Sequence, residues 1–67
     1  MEIYDALKIA VEELRAKNFM HSEQYRLTAS RVDGKWNFWF VFLPETFGSD
    51  VTATVTDDGK VETLVGF

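Results

Sequence analysis

The sequence predicts an α+β fold in which one N-terminal helix packs on a four-stranded antiparallel meander with sheet order 1-2-3-4. Three observations support this prediction. Apolar residues recur with a helical period over about residues 2–17, the period changes to two after residue 22, and glycine-containing turns separate the strands that follow. Because consecutive hairpins place neighbouring strands side by side, the helix is left to lie across one face of the sheet.

The helix is defined by a stripe of apolar side chains. Ile3, Leu7, Ala10 and Leu14 are separated by four, three and four residues, so they share one face of a helix. Asn18 follows the stripe, and asparagine tolerates the left-handed conformation that commonly ends a helix. We therefore expect the helix to end near residue 17.

The first hairpin is expected to turn at Asp33-Gly34, because both residues tolerate a positive φ. The strand before it alternates apolar and polar side chains, which is typical of a half-buried strand. A three-residue turn would set Thr28 and Arg26 opposite phenylalanines, so a two-residue turn is favoured. It predicts an aromatic-rich core layer with the pairs Ala29 with Phe38, Leu27 with Phe40, and Tyr25 with Phe42.

The end of the second strand, and the third and fourth strands, are also predicted from turn residues and alternating side chains. Pro44 has no N–H to donate to a ladder and is expected to end the second strand. After a loop at residues 44–50, valines and alanine alternate with threonines up to the turn Asp57-Asp58-Gly59. A three-residue turn with a left-handed Gly59 predicts the pairs Val55 with Val61 and Val51 with Val65.

Length, charge and composition limit the classes of function. A chain of 67 residues forms one domain, here residues 1–67, and the absence of cysteine excludes a disulfide or a thiolate zinc site. The formal net charge is −4 and the Lys and Arg residues are scattered, whereas nucleic acid requires a basic cluster. We therefore expect neither nucleic-acid binding nor a basic membrane-surface helix.

The first residues of this sequence do not predict a targeting signal. The segment Met1-Glu2-Ile3-Tyr4-Asp5 has two acidic residues where a signal peptide needs basic ones. No stretch approaches the roughly 18 apolar residues of a membrane span. We expect a cytoplasmic protein without membrane association, provided that no leader was removed ahead of this sequence.

Catalytic, metal and cofactor sites are not expected. His21 is the single histidine, and the adjacent Ser22 would point to the opposite face of a strand, so His21 is interpreted as a solvated connector residue. Asp57-Asp58-Gly59 could suggest calcium, but such a site needs about six to eight oxygen ligands. Asp and Gly are also the residues that a turn requires, and this is the favoured explanation.

The face that the helix leaves open, called the helix-free face below, is predicted to carry an unusual group of apolar residues. Such a group is a candidate contact surface for a second subunit, a peptide or a ligand, and tryptophan is a preferred interface anchor. The alternative is that Arg26 covers Trp39. Strand addition at the first or fourth strand is a second route to association. The candidate interface residues are Arg26, Thr28, Trp39, Val41, Leu43 and Leu64.

The loop at residues 44–50 is the longest irregular segment expected in the chain. Phe47 at its centre is a candidate contact residue, since binding residues favour such loops. The favoured alternative is that Phe47 caps the open end of the core, because small domains depend on every aromatic ring.

Three segments resemble the PepSY family and its PepSY-like relatives: Ala6-Leu7-Lys8-Ile9-Ala10, Lys35-Trp36-Asn37-Phe38-Trp39-Phe40, and the run from Val51 to Val61. The last is similar to the closing hairpin of the family, in which a valine-rich strand enters an acidic turn followed by Gly-Lys-Val. The resemblance implies a helix on an antiparallel meander. It also implies a binding or inhibitory module, because PepSY domains occur in protease propeptides and are thought to modulate proteases.

The leading functional hypothesis is a non-enzymatic interaction domain that associates with itself through the helix-free face. One alternative is a protease-modulating or immunity-type PepSY-like protein. Another is a small-molecule binder with a pocket between the end of the helix and the loop at residues 44–50.

Overall fold

The computed structural model describes residues 1–44 and 49–66. All three strand pairs are antiparallel, and the strands lie in the order β1-β2-β3-β4. The predicted fold class, one helix on a four-stranded antiparallel meander, is therefore confirmed. The elements are α1 (Ile3–Ala16), β1 (Tyr25–Val32), β2 (Lys35–Phe42), β3 (Asp50–Thr56) and β4 (Val61–Val65).

Asn18 ends α1 in the way that the sequence predicts. Its φ is 59°, and its N–H donates to the carbonyl of Arg15 at 3.1 Å. The next N–H, that of Phe19, donates to the carbonyl of Leu14 at 2.8 Å. These two bonds satisfy carbonyls at the end of the helix and turn the chain so that Phe19 packs against the core.

The first hairpin has the predicted register. Asp33 and Gly34 have φ values of 51° and 74°, so both occupy the left-handed region that a two-residue turn of this kind requires. The resulting pairs include Tyr25 with Phe42, Leu27 with Phe40, and Ala29 with Phe38.

The second predicted turn is also confirmed. Gly59 has a φ of 87° and its N–H donates to the carbonyl of Thr56 at 3.0 Å. The Thr56 N–H in turn donates to the Lys60 carbonyl at 2.9 Å, which closes a three-residue turn. The pairs that follow are Val55 with Val61 and Val51 with Val65.

The buried core lies between α1 and the two central strands. Small residues in α1 allow the helix to approach the sheet closely, and the phenylalanines of β2 fill most of the volume. Among the described residues, none from β1 or β4 is fully buried. The core residues are Ala6, Ala10, Leu14, Phe38, Phe40, Phe42, Val51, Ala53 and Val55.

The expectation that β1 is half-buried is wrong, although its pairing is right. Every residue of β1 is exposed, and Tyr25 and Leu27 each retain 37% of their accessible surface. In the described chain, α1 contacts β2, β3 and β4 but not β1. A helix is about 10 Å wide and strands are about 4.8 Å apart, so one helix covers two or three strands. The Lys17 amine bonds the Thr63 hydroxyl of β4 at 3.1 Å, which holds the helix on that side.

Two matched truncations should measure this unequal coverage. Leu14→Ala removes a side chain with no exposed surface, so we expect a loss of about 2–5 kcal/mol in the free energy of unfolding. Leu27→Ala makes the same chemical change on β1 and should lower the free energy by less than about half as much. Urea denaturation followed by circular dichroism measures both. Equal losses would show that β1 is covered in solution.

Candidate interaction surfaces

The helix-free face is organised in rows that run across the strands. One row consists of Thr28, Trp39, Thr52 and Leu64, each opposite the next on the neighbouring strand. Trp39 is 48% exposed and Leu64 is 71% exposed, while Thr52 between them is half-buried. Two large apolar side chains are therefore presented to solvent on one row, separated by one threonine.

The indole of Trp39 is fixed by a hydrogen bond. Its Nε1–H donates to Oδ2 of Asp50 at 3.1 Å. Since this bond satisfies the one polar group of the ring, the remaining exposed surface of Trp39 is apolar and is stabilised only by another apolar surface. Asp50 lies at the start of β3, opposite Val41.

The other candidate interface residues lie beside this row. Arg26 is opposite Val41 in the adjacent row, and Val41 is half-buried. Leu43 follows the last residue of β2, and its N–H donates to the carbonyl of Gln24 at 2.9 Å. The structure thus brings the predicted residues together at one end of the helix-free face. Phe47, the candidate loop contact, lies outside the described residues.

The opposite end of the helix-free face is polar. The Thr54 hydroxyl donates to Oδ1 of Asn37 at 2.8 Å, across β2 and β3. Ser30 and Glu62 flank this pair on β1 and β4 and are exposed. Apart from Val32, which is 49% exposed at the end of β1, the large apolar side chains of this face therefore lie at the end that contains Trp39, Val41 and Leu64.

A second open surface, which was not predicted from the sequence, lies on the side of the sheet that carries α1. Tyr25 and Leu27 of β1 remain partly exposed there, beyond the reach of the helix. The Tyr25 ring contacts the rings of Phe40 and Phe42, with centroids 5.4 and 5.8 Å away. The widths of one helix and four strands indicate that one strand stays uncovered, but they do not indicate which one.

A shallow depression of about 560 Å³ lies beside the C-terminal end of α1. The ring of His21 packs edge-on against Phe42, with centroids 5.6 Å apart. The Ser22 hydroxyl accepts a hydrogen bond from the Gln24 N–H at 3.0 Å and so stabilises the connector locally. The depression lies between the C-terminal end of α1 and the connector to β1, and its described lining includes no residue of the loop at 44–50. Its lining residues are Arg15, Met20, His21, Ser22, Glu23 and Tyr25.

An ionic cluster joins β1 to the β3–β4 turn. It lies on the α1 side of the sheet, at the end opposite the depression. Arg31 Nη2 lies 3.0 Å from both carboxylate oxygens of Asp57, and its guanidinium carbon is 5.2 Å from the ring centroid of Trp36. The amino group of Met1 also donates to Asp57, at 3.0 Å. These donors, the amino group first and Arg31 second, hold the pKa of Asp57 below its ordinary value of 3.8.

The neighbouring acidic residue is engaged in the same turn. Asp58 accepts a hydrogen bond from the Thr56 hydroxyl, and this bond lowers the pKa of the Asp58 carboxyl. Lys60 Nζ lies 3.9 Å from the carboxylate. The two aspartates therefore serve as turn and ion-pair residues, in agreement with the explanation favoured from the sequence.

The lowered pKa of Asp57 predicts a dependence of stability on pH. A carboxyl whose pKa falls on folding stabilises the fold above its unfolded pKa, and this stabilisation is lost as the pH falls through the folded pKa. We expect Asp57→Asn to reduce the melting temperature near pH 6 and to lose less stability than the wild type between pH 6 and about 2. Thermal melts of both proteins measure this.

The matched control for that experiment is Glu62→Gln. Glu62 is exposed on β4 and forms no ion pair with a described residue. We expect its acid profile to follow the wild type. Parallel profiles for the Asp57→Asn variant and the wild type would contradict the role given to the ionic cluster.

Neither a metal-binding cluster nor a membrane-spanning helix is found in the described residues. In residues 1–44 and 49–66, no cluster of three or more His, Cys, Asp or Glu side chains could hold a metal ion. Over the same residues, no helix has the length and apolar character of a membrane span. The resemblance to the PepSY family, and the protease-modulating role that it implies, stay predictions. Searches with protein-family models, curated proteins and solved structures found no match to this chain.

Proposed function

We propose that the chain is a non-enzymatic interaction domain that binds another protein through the apolar end of the helix-free face, in the simplest case a second copy of itself. The observation that carries the proposal is the pair Trp39 and Leu64. Both are large, apolar and substantially exposed on one row of a sheet, and the indole N–H is already bonded to Asp50. Removing such a surface from water lowers the free energy, and this requires another apolar surface to cover it.

The magnitudes favour a reversible interaction. The exposed half of Trp39 corresponds to roughly 100 Å², which is worth about 2.5 kcal/mol when buried. Leu64 adds about 1.5 kcal/mol on the same basis. In a symmetric dimer each residue counts twice, so the total of about 8 kcal/mol falls within the cost of association, about 4–15 kcal/mol. We therefore expect an association that responds to dilution.

The side chains of Ser22 and His21 in the connector make local contacts. The Ser22 hydroxyl accepts the Gln24 N–H, and the His21 ring packs against Phe42. Neither contact orients His21 as a base toward a nucleophile, which general-base catalysis requires. The polar groups near this connector therefore stabilise local structure.

Trp39→Lys tests the contact surface directly. The substitution places a charge at the centre of the proposed interface, so we expect the dissociation constant to rise at least tenfold while the far-UV circular dichroism is retained. Light scattering over a hundredfold range of concentration measures the association. Loss of the fold would show that Trp39 is a core residue and would contradict the proposal.

Tyr4→Lys is the matched control. Tyr4 is also a large exposed aromatic residue, at 73% exposure, but it lies on α1, on the other side of the sheet. The substitution changes the net charge by the same amount as Trp39→Lys. We expect unchanged association, and an equal loss would mean that charge alone, rather than the helix-free face, controls the result.

The depression beside α1 favours a second candidate function, the binding of a small molecule. Its lining combines the apolar Met20 and the ring of Tyr25 with the charged groups of Arg15 and Glu23. Four of its six lining residues are polar or charged, so the ligand that fits this depression is a polar one.

A thermal-shift screen with metabolites tests this second candidate. A ligand present at 100 times its dissociation constant stabilises the fold by about 2.7 kcal/mol, which raises the melting temperature by several degrees in a domain of this size. We expect His21→Ala to abolish any shift that arises in the depression, and Tyr4→Lys to leave it unchanged. A screen in which no compound raises the melting temperature would contradict this function.

A further inference from the structure

The outer edge of β1 presents unpaired backbone groups in a regular pattern. The Leu43 N–H donates to the Gln24 carbonyl at 2.9 Å, so this pair is a hydrogen-bonded pair of the β1–β2 ladder. Hydrogen-bonded pairs alternate along an antiparallel ladder, so the even-numbered residues of β1 point their N–H and C=O groups toward β2. The groups of the odd-numbered residues point away from the sheet. These residues are Tyr25, Leu27, Ala29 and Arg31.

Of the two edges of the sheet, that of β1 is the more accessible. β1 has 8 residues and all of them are exposed, whereas β4 has 5 residues with alternating burial. The helix also contacts β4, where Lys17 bonds Thr63 at 3.1 Å. Long exposed edges invite pairing with another strand, and proteins usually shorten or cover them. β1 is neither short nor covered.

The side chains of β1 define the kind of strand that fits this edge. An added strand continues both faces of the sheet, so it needs apolar residues on the side of α1 and polar residues on the helix-free face. β1 itself has this alternation, with Tyr25 and Leu27 on one side and Arg26 and Thr28 on the other. A two-fold axis perpendicular to the sheet places the same face of both copies on the same side.

We propose that β1 pairs antiparallel with β1 of a second copy, so that the two four-stranded sheets form one continuous sheet. In the register with Thr28 opposite Thr28 of the second copy, every outward N–H and C=O of both strands has a partner. Moving the register by two residues in either direction removes one hydrogen-bonded pair. The edge of the shorter β4 offers fewer groups, and pairing β1 with β4 would build an open chain instead of a closed dimer.

The same register suits the side chains. Leu27 lies beside Ala29 of the second copy on the α1 side, and these residues are opposite Phe40 and Phe38 in their own hairpins. The row of apolar side chains therefore continues from one core to the other. Arg26 lies beside Ser30 of the second copy, which keeps the two Arg26 side chains about 14 Å apart along the strands. Like charges are not placed opposite each other.

The size of the molecule sets the expected strength of this contact. A stable dimer buries about 800 Å² on each partner, which is about one sixth of the 4568 Å² that this chain exposes. A strand edge with its adjoining side chains buries an area near the lower limit for specific interfaces. We therefore expect a dimer that dissociates on dilution.

This inference goes beyond the proposed function because it concerns a different surface. Pairing at the edge leaves the helix-free faces open and joins them side by side. Trp39 is opposite Thr28, so the two Trp39 residues would be three strand spacings, or about 14 Å, apart. The paired sheet would offer two copies of the apolar row to a further partner.

A single cysteine tests the register, because the chain contains none of its own. In the proposed pairing, the two residues at position 28 form a non-hydrogen-bonded pair with Cα atoms about 4.5 Å apart, within the range of a disulfide. We expect Thr28→Cys to form a covalent dimer under mild oxidation. Ser30→Cys is the control, since its two cysteines would be about 14 Å apart and should not cross-link. Equal cross-linking of both variants, or none of Thr28→Cys, would overturn the proposal.

A second pair of variants tests the edge without oxidation. Ala29→Pro removes an outward N–H and obstructs an incoming strand while the β1–β2 ladder is retained, so we expect at least a tenfold rise in the dissociation constant measured by light scattering. Val65→Pro makes the corresponding change at an outward position of β4 and should leave association unchanged. Association lost in Trp39→Lys but retained in Ala29→Pro would overturn the edge pairing and support the proposed function. The reverse result would support the edge pairing alone.

Discussion

The width of one helix relative to four strands determines most features of this structure. α1 has 14 residues and lies over β2, β3 and β4. A helix is about 10 Å wide, and the axes of four strands span about 14 Å, so one strand must remain outside its reach. The fully buried residues of the described chain accordingly come from α1, β2 and β3. β1 is left with solvent on both of its faces, and the open edge proposed for strand pairing follows from this.

The chain holds β1 in place at its two ends rather than along its length. At one end, the Tyr25 ring packs on Phe40 and Phe42. At the other end, Arg31 crosses Trp36 to reach Asp57 in the β3–β4 turn. The middle of the strand, from Leu27 to Ala29, is held by backbone pairing with β2. It is therefore the part of the sheet edge that another strand can approach without displacing a side chain that the fold needs.

Local chemistry made the turns and registers predictable from the sequence. Asn18, Asp33-Gly34 and Gly59 occupy conformations that few other residues tolerate, and each sets the position of the segment that follows. The lateral position of α1 was not predictable in this way. The apolar stripe defines which side of the helix faces the sheet, but the choice of strands depends on contacts distant in sequence, such as that of Lys17 with Thr63. The bond from Trp39 to Asp50 was missed because Asp50 was placed in a loop.

Backbone hydrogen bonds alone contribute about as much free energy as association costs, so side chains decide whether the open edge of β1 pairs with another strand. Water satisfies an exposed N–H or C=O, so the edge itself costs little in the monomer. Each new backbone hydrogen bond contributes about 0.5–1.5 kcal/mol net, so about eight of them contribute roughly 4–12 kcal/mol. This is close to the cost of association, about 4–15 kcal/mol. The balance is then set by Tyr25 and Leu27, whose remaining exposed surface is the apolar area available next to the edge. In the proposed pairing, a polar residue at position 27 would keep the backbone pairing of β1 with β2 but would remove part of this apolar area.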